Sequence, residues 1–141
     1  MSFLGAAFFK ETGVRPYTPD FYFAQGELTL RSCELHCQTL APDGHLASFH
    51  WEEQSRIIGN SLPERTGLWI GLNDNYKEGA YFWTDGSSSD FVNWDSGQPD
   101  DYRGEEDCVH FVDPTINWND LPCQSKLSFL CSYKLPSPYC H

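Results

Sequence analysis

The residues whose types suggest chemistry lie in one acidic stretch, from Asp95 to Asp120. It contains eight carboxylates but one arginine, Arg103, and no lysine. Folding so many like charges into one loop region is costly unless a positive charge lies among them. The carboxylates are Asp95, Asp100, Asp101, Glu105, Glu106, Asp107, Asp113 and Asp120. The stretch therefore indicates a binding site for a divalent cation.

The donor atoms in this stretch are oxygens, from the carboxylates and from the amides of Gln98 and Asn119, with no cysteine or histidine at metal-binding spacing. This set suits calcium rather than zinc or copper. Gln98 and Asp100 flank Pro99, and a cis bond before the proline would bring both side-chain oxygens to one ion. A solvated acidic loop is the alternative in a chain of net charge -11. That alternative leaves the amides, the proline and the flanking cysteines unexplained.

Four short motifs occur in order along the chain: Trp69-Ile70-Gly71-Leu72, Gln98-Pro99-Asp100, Glu106-Asp107-Cys108 and Trp118-Asn119-Asp120. Together they resemble the carbohydrate-recognition domain of C-type lectins in its galactose-type form. The resemblance runs from about Glu27 to Tyr133. It implies an α+β fold in which two helices pack on small antiparallel sheets, with a long calcium-binding loop region and disulfide bonds.

The resemblance implies a calcium ion that takes part in sugar binding. Its ligands would be Gln98, Asp100, Glu106, Asn119 and Asp120. Two neighbouring sugar hydroxyls would complete the shell of the ion while bonding to Gln98, Asp100, Glu106 and Asn119. Mannose-type members carry Glu-Pro-Asn, and the exchanged order of amide and carboxylate here goes with galactose and N-acetylgalactosamine.

A second, supporting calcium ion is implied beside the first. Its ligands would be Asp74, Glu78, Asp101, Glu106 and Asp107, and its role would be to hold the loop. Tyr102 would stack on the apolar face of galactose. Members of the family often carry tryptophan there, followed by a glycine-rich insertion that this chain lacks. An exposed loop aromatic without a role is the alternative for Tyr102.

The chain has six cysteines and no Cys-x-x-Cys pair, which favours disulfide bonds and an oxidising compartment. Free or metal-bound thiols are the alternative. The resemblance implies the pairs Cys37–Cys131 and Cys108–Cys123. The remaining pair is Cys33 and Cys140, for which we expect a bridge within the chain. A bridge between chains through either cysteine is the alternative.

Helices and strands are expected around these motifs. Thr29 can cap a helix to about Thr39 that turns Leu30, Cys33, Cys37 and Leu40 to the core. Ser48 is expected to cap a second helix from Phe49 to about Asn60. Strands are expected at residues 21–23, 69–72, 81–83, 109–112 and 128–131. Residues 1–26 are interpreted as a divergent N-terminal strand region with turns at Gly13, Pro16 and Pro19. Residues 132–141 are interpreted as a C-terminal tail.

Length and charge limit the functions that remain. At 141 residues we expect a single domain, and the negative charge argues against binding nucleic acid. No stretch is long and apolar enough to span a membrane. Catalytic motifs are absent, so we expect no enzyme.

The expected function is that of a secreted, extracellular lectin that binds galactose or N-acetylgalactosamine with calcium. A homo-oligomer, with a dimer favoured, would give useful affinity. The alternative is a domain of the same fold that binds protein, ice or mineral surfaces with calcium only structural.

Overall fold

Two helices and eight strands make up the part of the chain that the computed structural model describes, residues 5–10, 19–61, 67–112 and 117–134. The helices are α1 (Leu30–Leu40) and α2 (Glu52–Ser61). The strands are β1 (Gly5–Lys10), β2 (Pro19–Leu28), β3 (His45–Leu46), β4 (Leu68–Lys77), β5 (Ala80–Trp83), β6 (Cys108–Phe111), β7 (Trp118–Leu121) and β8 (Leu127–Lys134). The turns predicted at Gly13 and Pro16 lie outside the described residues. In the described part, neither helix is both long and apolar enough to cross a membrane.

The strands form one sheet in the order β1-β2-β8-β4-β6-β7, with β3 added beside β8 and β5 beside β4. The central pair, β4 and β8, is parallel, with Leu68 opposite Ser128 and Trp69 opposite Phe129. The prediction of small antiparallel sheets is therefore corrected to one mixed sheet. β5, β6 and β7 all lie between the two parallel strands in sequence, and no local pattern of residues reports such a pairing.

β4 divides the core into two hydrophobic clusters, one on each face of the sheet. Successive side chains of a strand point to opposite faces. Leu68, Ile70 and Leu72 accordingly pack in one cluster with Ile58 of α2. Trp69 packs in the other, which α1 covers with its apolar face. The unbroken apolar run from residue 68 to 72 is thus explained by burial on both faces.

α1 forms as its sequence predicts. Thr29 has an extended backbone at the N-cap, and its side chain accepts the N–H of Ser32 at 3.5 Å. Leu30, Cys33 and Cys37 are buried, as the helical spacing requires. Disulfide bonds join Cys37 to Cys131 and Cys108 to Cys123. The first ties α1 to the central strand β8, and the second closes the segment that contains β6 and β7.

The predicted bridge between Cys33 and Cys140 is not formed in this structure. Cys33 carries a free thiol, which is fully buried, and Cys140 lies outside the described residues. The Cys33 thiol contacts the carbonyl oxygen of Leu28 at 3.6 Å, inside the cluster beneath α1. Burial raises the pKa of this thiol, so the neutral form is favoured. The helical spacing predicted that Cys33 faces the core, but it did not predict that the thiol is free.

The start predicted for α2 is wrong by three residues, because Ser48 has a different partner. Its hydroxyl donates to Asp85 Oδ2 at 2.6 Å instead of accepting a backbone N–H, and α2 begins at Glu52. The other oxygen of Asp85 accepts the backbone N–H of Ser87 at 2.9 Å and also the Ser87 hydroxyl. Burial raises the pKa of Asp85, but the hydrogen bonds from Ser48 and Ser87 outweigh it and leave the pKa below its ordinary value of 3.8.

We predict that Asp85→Asn lowers the free energy of unfolding by about 1–3 kcal/mol at neutral pH, since hydrogen bonds to a charged acceptor are lost. A carboxylate whose folded-state pKa is lowered stabilises the fold above its unfolded-state pKa. That contribution disappears as the pH falls through the folded-state value. Denaturant unfolding between pH 7 and pH 3 should therefore show a shallower acid loss in Asp85→Asn than in the unsubstituted chain. Asp90→Asn is the matched control, because Asp90 is exposed and its carboxylate lies 3.6 Å from Nδ1 of His50, beyond hydrogen-bond distance. Equal acid dependence in all three proteins would contradict the prediction.

Candidate metal centre

The long loop between β5 and β6 carries most of the predicted site, and aromatic packing holds it in place. The backbone N–H of Asp95 donates to the carbonyl of Trp118 at 2.8 Å, and the N–H of Trp118 donates to the carbonyl of Asn93 at 2.8 Å. The rings of Trp94 and Trp118 meet edge to face at 5.7 Å. Trp118 is fully buried and belongs to the hydrophobic core. The loop is therefore fixed by β7 and by buried rings rather than by secondary structure of its own.

A first set of carboxylates, here named the main group, consists of Asp100, Glu106 and Asp120. One oxygen from each lies within 4.8 Å of the others. Backbone N–H groups hold two of the three. Asp120 accepts from Asp100 at 3.2 Å and from Asp101 at 2.7 Å, and Glu106 accepts from Tyr102 at 3.0 Å. The loop and strand β7 thus bring together three of the five residues predicted for the sugar-binding calcium.

The charges of the main group oppose one another. Burial raises the pKa of Glu106 to about 7, and Asp100 and Asp120 add to the rise against the opposing N–H of Tyr102. Burial also raises the pKa of Asp120, although the N–H groups of Asp101 and Asp100 counteract it. Protonation or a bound cation would relieve this repulsion.

A second set of carboxylates, the auxiliary group, consists of Asp74, Glu78 and Asp107, again with oxygens within 4.8 Å of one another. The N–H of Asp74 donates to the carbonyl of Asp107 at 3.0 Å, which joins the end of β4 to the end of the loop. A hydrogen bond to Asp74 raises the pKa of Glu78 to about 7, with smaller contributions from burial and nearby carboxylates. Burial, and then Asp74, raises the pKa of Asp107.

The remaining residues assigned to the auxiliary ion are outside this group. Asp101 Oδ1 accepts the N–H of Glu106 at 3.1 Å, and Glu106 belongs to the main group. Asp101 nevertheless lies close enough to raise the pKa of both Glu78 and Asp107 by its charge. The two groups are therefore neighbours.

Three buried oxygens test whether an ion fits these groups. Asp74 Oδ1, Asp107 Oδ1 and Gln98 Oε1 have no hydrogen-bond partner among the described residues. A buried polar atom without a partner costs free energy, so unpaired acceptors of this kind are rare in folded proteins. Carboxylate and amide oxygens are the ligands that calcium takes. The donor set and its unpaired acceptors therefore fit a calcium ion in both groups.

Two amides complete the predicted set. The bond between Gln98 and Pro99 is cis, one of the two alternatives that the sequence left open. Asn119 lies beside Asp120 on β7, and its Nδ2 is 3.0 Å from Nε2 of His110 on the neighbouring strand. The roles of Gln98 and Asn119 as ligands stay predictions.

His110 and Arg103 contact predicted site residues, although sequence reasoning assigned neither of them a role. His110 is the cross-strand partner of Asn119 in the β6–β7 ladder, and burial lowers its pKa. The alternation of β6 could have indicated it, because residues opposite each other on paired strands share a face. Arg103 lies over the ring of Tyr102, at 5.1 Å from guanidinium carbon to ring centroid. Tyr102 itself is 58% exposed and lies in the 3-10 turn Tyr102–Gly104.

Comparison with known proteins shows the family. Residues 27–133 match the family model described as the lectin C-type domain, so the chain belongs to the C-type lectin domain family. Among curated relatives it is similar to the C-type lectin TsL of Trimeresurus stejnegeri. The two are 41% identical over 112 residues, which cover 75% of this chain and 71% of the relative. The family is one of non-enzymatic binding domains, in agreement with the expectation that the chain is not an enzyme.

Solved structures show the same fold. The carbohydrate-recognition domain of the mouse scavenger receptor C-type lectin superposes with a TM-score of 0.75 at 30% identity, covering 84% of this chain and 92% of that domain. A calcium-independent type II antifreeze protein superposes with a TM-score of 0.75 at 26% identity, covering 92% of this chain and 98% of that protein. The α+β fold with two helices is thereby confirmed.

We predict that Asp107→Asn stabilises the chain when divalent ions are removed by a chelator. The substitution removes one of three mutually repelling charges and keeps the backbone carbonyl that Asp74 uses. The gain should be about 0.5–1 kcal/mol, the scale of charge pairs near a protein surface. Chemical unfolding in EDTA measures it. Glu105→Gln is the matched control, since Glu105 is exposed in the same loop but belongs to neither group. A lower stability for Asp107→Asn than for the control would count against repulsion as the dominant effect.

Proposed function

We propose that this chain is a calcium-dependent lectin for terminal galactose or N-acetylgalactosamine on glycans. The main group supports the proposal, because three carboxylate oxygens from two chain segments lie within 4.8 Å of one another. The unpartnered oxygen of Gln98 adjoins this group in sequence. The calcium ligands would be Gln98, Asp100, Glu106, Asn119 and Asp120.

The side chains of the site would determine which sugar binds. Bound calcium would supply a positive centre that accepts two neighbouring sugar hydroxyls into its shell. Gln98 would offer an amide, with both a donor and an acceptor, where Asp100 offers acceptors only. This polarity favours one arrangement of hydroxyls over another. The exposed ring of Tyr102 would contact the apolar face of galactose.

The auxiliary group would hold a second calcium ion that supports the loop. Its ligands would be Asp74, Glu78, Asp101, Glu106 and Asp107. The partnerless oxygens of Asp74 and Asp107 favour this assignment. Because the ligand set exists only in the folded chain, binding of the ion would add to the stability of the loop.

A single sugar in a shallow site binds with a dissociation constant near the millimolar range, about -4 kcal/mol. We therefore propose that the chain acts as a dimer or a larger assembly, which multiplies weak contacts on one glycan-bearing surface. Light scattering of the purified chain would test this. The disulfide bonds and the family support a secreted, extracellular location.

Binding to ice, without sugar, is a second candidate function. The likeness to a calcium-independent type II antifreeze protein favours it. Inhibition of ice recrystallisation that is unaffected by a chelator would support this candidate, and the two carboxylate groups would then be expected to lack a role in binding.

We predict that the chain is retained on galactose–agarose in calcium and released by EDTA. Glu106→Gln should abolish retention and weaken calcium binding at least about tenfold, as expected when the ligand shell of a metal is disturbed. The amide of the substituted residue still offers an oxygen to the N–H of Tyr102, so the loop should keep its conformation. The variant therefore tests the loss of the negative charge alone. Glu105→Gln is the matched control and should bind as the unsubstituted chain does. Retention that persists in EDTA would contradict the calcium mechanism.

We also predict that the paired substitution Gln98→Glu and Asp100→Asn redirects the site toward mannose. It exchanges amide and carboxylate without changing the total ligand charge, so calcium affinity should stay similar. The ratio of galactose to mannose affinities should fall about tenfold or more, which corresponds to about 1.4 kcal/mol. Competition by free sugars for an immobilised glycan measures the ratio. An unchanged ratio with unchanged calcium binding would show that specificity lies elsewhere.

A further inference from the structure

Arg103 has an unexpected partner for an arginine in an acidic loop. Its guanidinium carbon lies 5.1 Å from the centroid of the Tyr102 ring, within the range of a cation–π contact. Carboxylates surround it in sequence, yet no ion pair within 4.0 Å joins Arg103 to a carboxylate of the described residues. The guanidinium therefore lies against an aromatic ring in a loop whose charges would attract it elsewhere.

Arg103 has a backbone conformation that is uncommon for a residue other than glycine. Its φ of 59° and ψ of 19° lie in the left-handed region, which glycine adopts more readily than arginine does. Hydrogen bonds close the turn around it, from the N–H of Gly104 to the carbonyl of Asp101 at 2.8 Å and from the N–H of Glu105 to the carbonyl of Tyr102 at 3.2 Å. A non-glycine residue at such a position invites a functional explanation.

The same turn connects the Tyr102 ring to the main group. The backbone N–H of Tyr102 donates to Glu106 Oε1 at 3.0 Å. The backbone of Tyr102 is therefore bonded to a main-group carboxylate, and its ring lies against the guanidinium of Arg103. The residue nevertheless stays 58% exposed. An aromatic side chain that keeps its position while much of its surface faces solvent is suited to stacking on a ligand.

We propose that Arg103 is a specificity-determining positioning residue: it covers part of the Tyr102 ring and fixes the ring beside the main group, so that the ring's free surface meets the apolar face of galactose. This inference rests on the proposed lectin function. Arg103 would act through Tyr102 and would not itself contact calcium. The short turn that contains Arg103 would then determine the position of the Tyr102 ring.

The test compares Arg103→Gly with Arg103→Lys at saturating calcium. Glycine suits the left-handed backbone, so the turn is retained while the guanidinium is lost. We expect Arg103→Gly to weaken galactose binding about two- to fivefold, which is the change in affinity expected when an exposed cation–π contact is lost. Mannose and calcium binding should not weaken. Lysine also carries a cation, so Arg103→Lys should restore at least half of the loss. Arg31→Ala, which removes an exposed arginine of α1, is the control for net charge.

A double-mutant comparison separates Arg103 from the rest of the site. When Tyr102 is already alanine, Arg103→Gly should cause no further loss of galactose binding. Equal galactose affinity in Arg103→Gly and the unsubstituted chain would overturn the role of Arg103 and leave the lectin function standing. A parallel loss of mannose and calcium binding would also overturn it, because the turn itself would then be responsible. Failure of the unsubstituted chain to bind galactose in calcium would remove the lectin function, and this inference with it.

Discussion

The repulsion among carboxylates at the end of β4, in the long loop and on β7 is the constraint on which this structure depends. Six of them form two neighbouring groups, in each of which the oxygens lie within 4.8 Å of one another. Burial raises the pKa of Glu106 and Asp107, a hydrogen bond to Asp74 raises that of Glu78, and neighbouring carboxylates add to each rise. The folded chain therefore carries a cost that an extended chain would avoid. The rest of the fold must therefore hold these residues together against their own charges.

Buried rings and β-ladders supply that restraint. Trp118 is fully buried, meets the rings of Trp83, Phe91 and Trp94 edge to face, and binds the loop through its backbone. Its neighbour two residues along, Asp120, follows the same strand into the site. The position of one main-group carboxylate is thus set by hydrophobic packing that does not respond to charge. This arrangement explains why tryptophans close to a candidate sugar site serve as core.

Local sequence predicted what local physics determines. The cap at Thr29 and the helical spacing of Leu30, Cys33 and Cys37 defined α1 correctly. The acidic stretch indicated a cation site, whereas the part of Asp74 and Glu78 in a second group was implied by the family resemblance. The start of α2 was wrong because Asp85, 37 residues away, takes the hydroxyl of Ser48. The parallel pairing of β4 with β8 likewise depends on contacts between distant segments. Periodicity in a short window contains no information about such contacts.

The two carboxylate groups differ in how many of their oxygens accept hydrogen bonds from the protein. Asp120 and Glu106 accept backbone N–H groups, so part of the main group is fixed by donors that belong to the loop. In the auxiliary group, Asp74 and Asp107 each keep a buried oxygen without a partner. No donor among the described residues reaches these oxygens, and a bound cation would compensate them. The auxiliary group therefore has the greater need of an ion, whereas the main group is the better prepared to keep its geometry while a ligand exchanges.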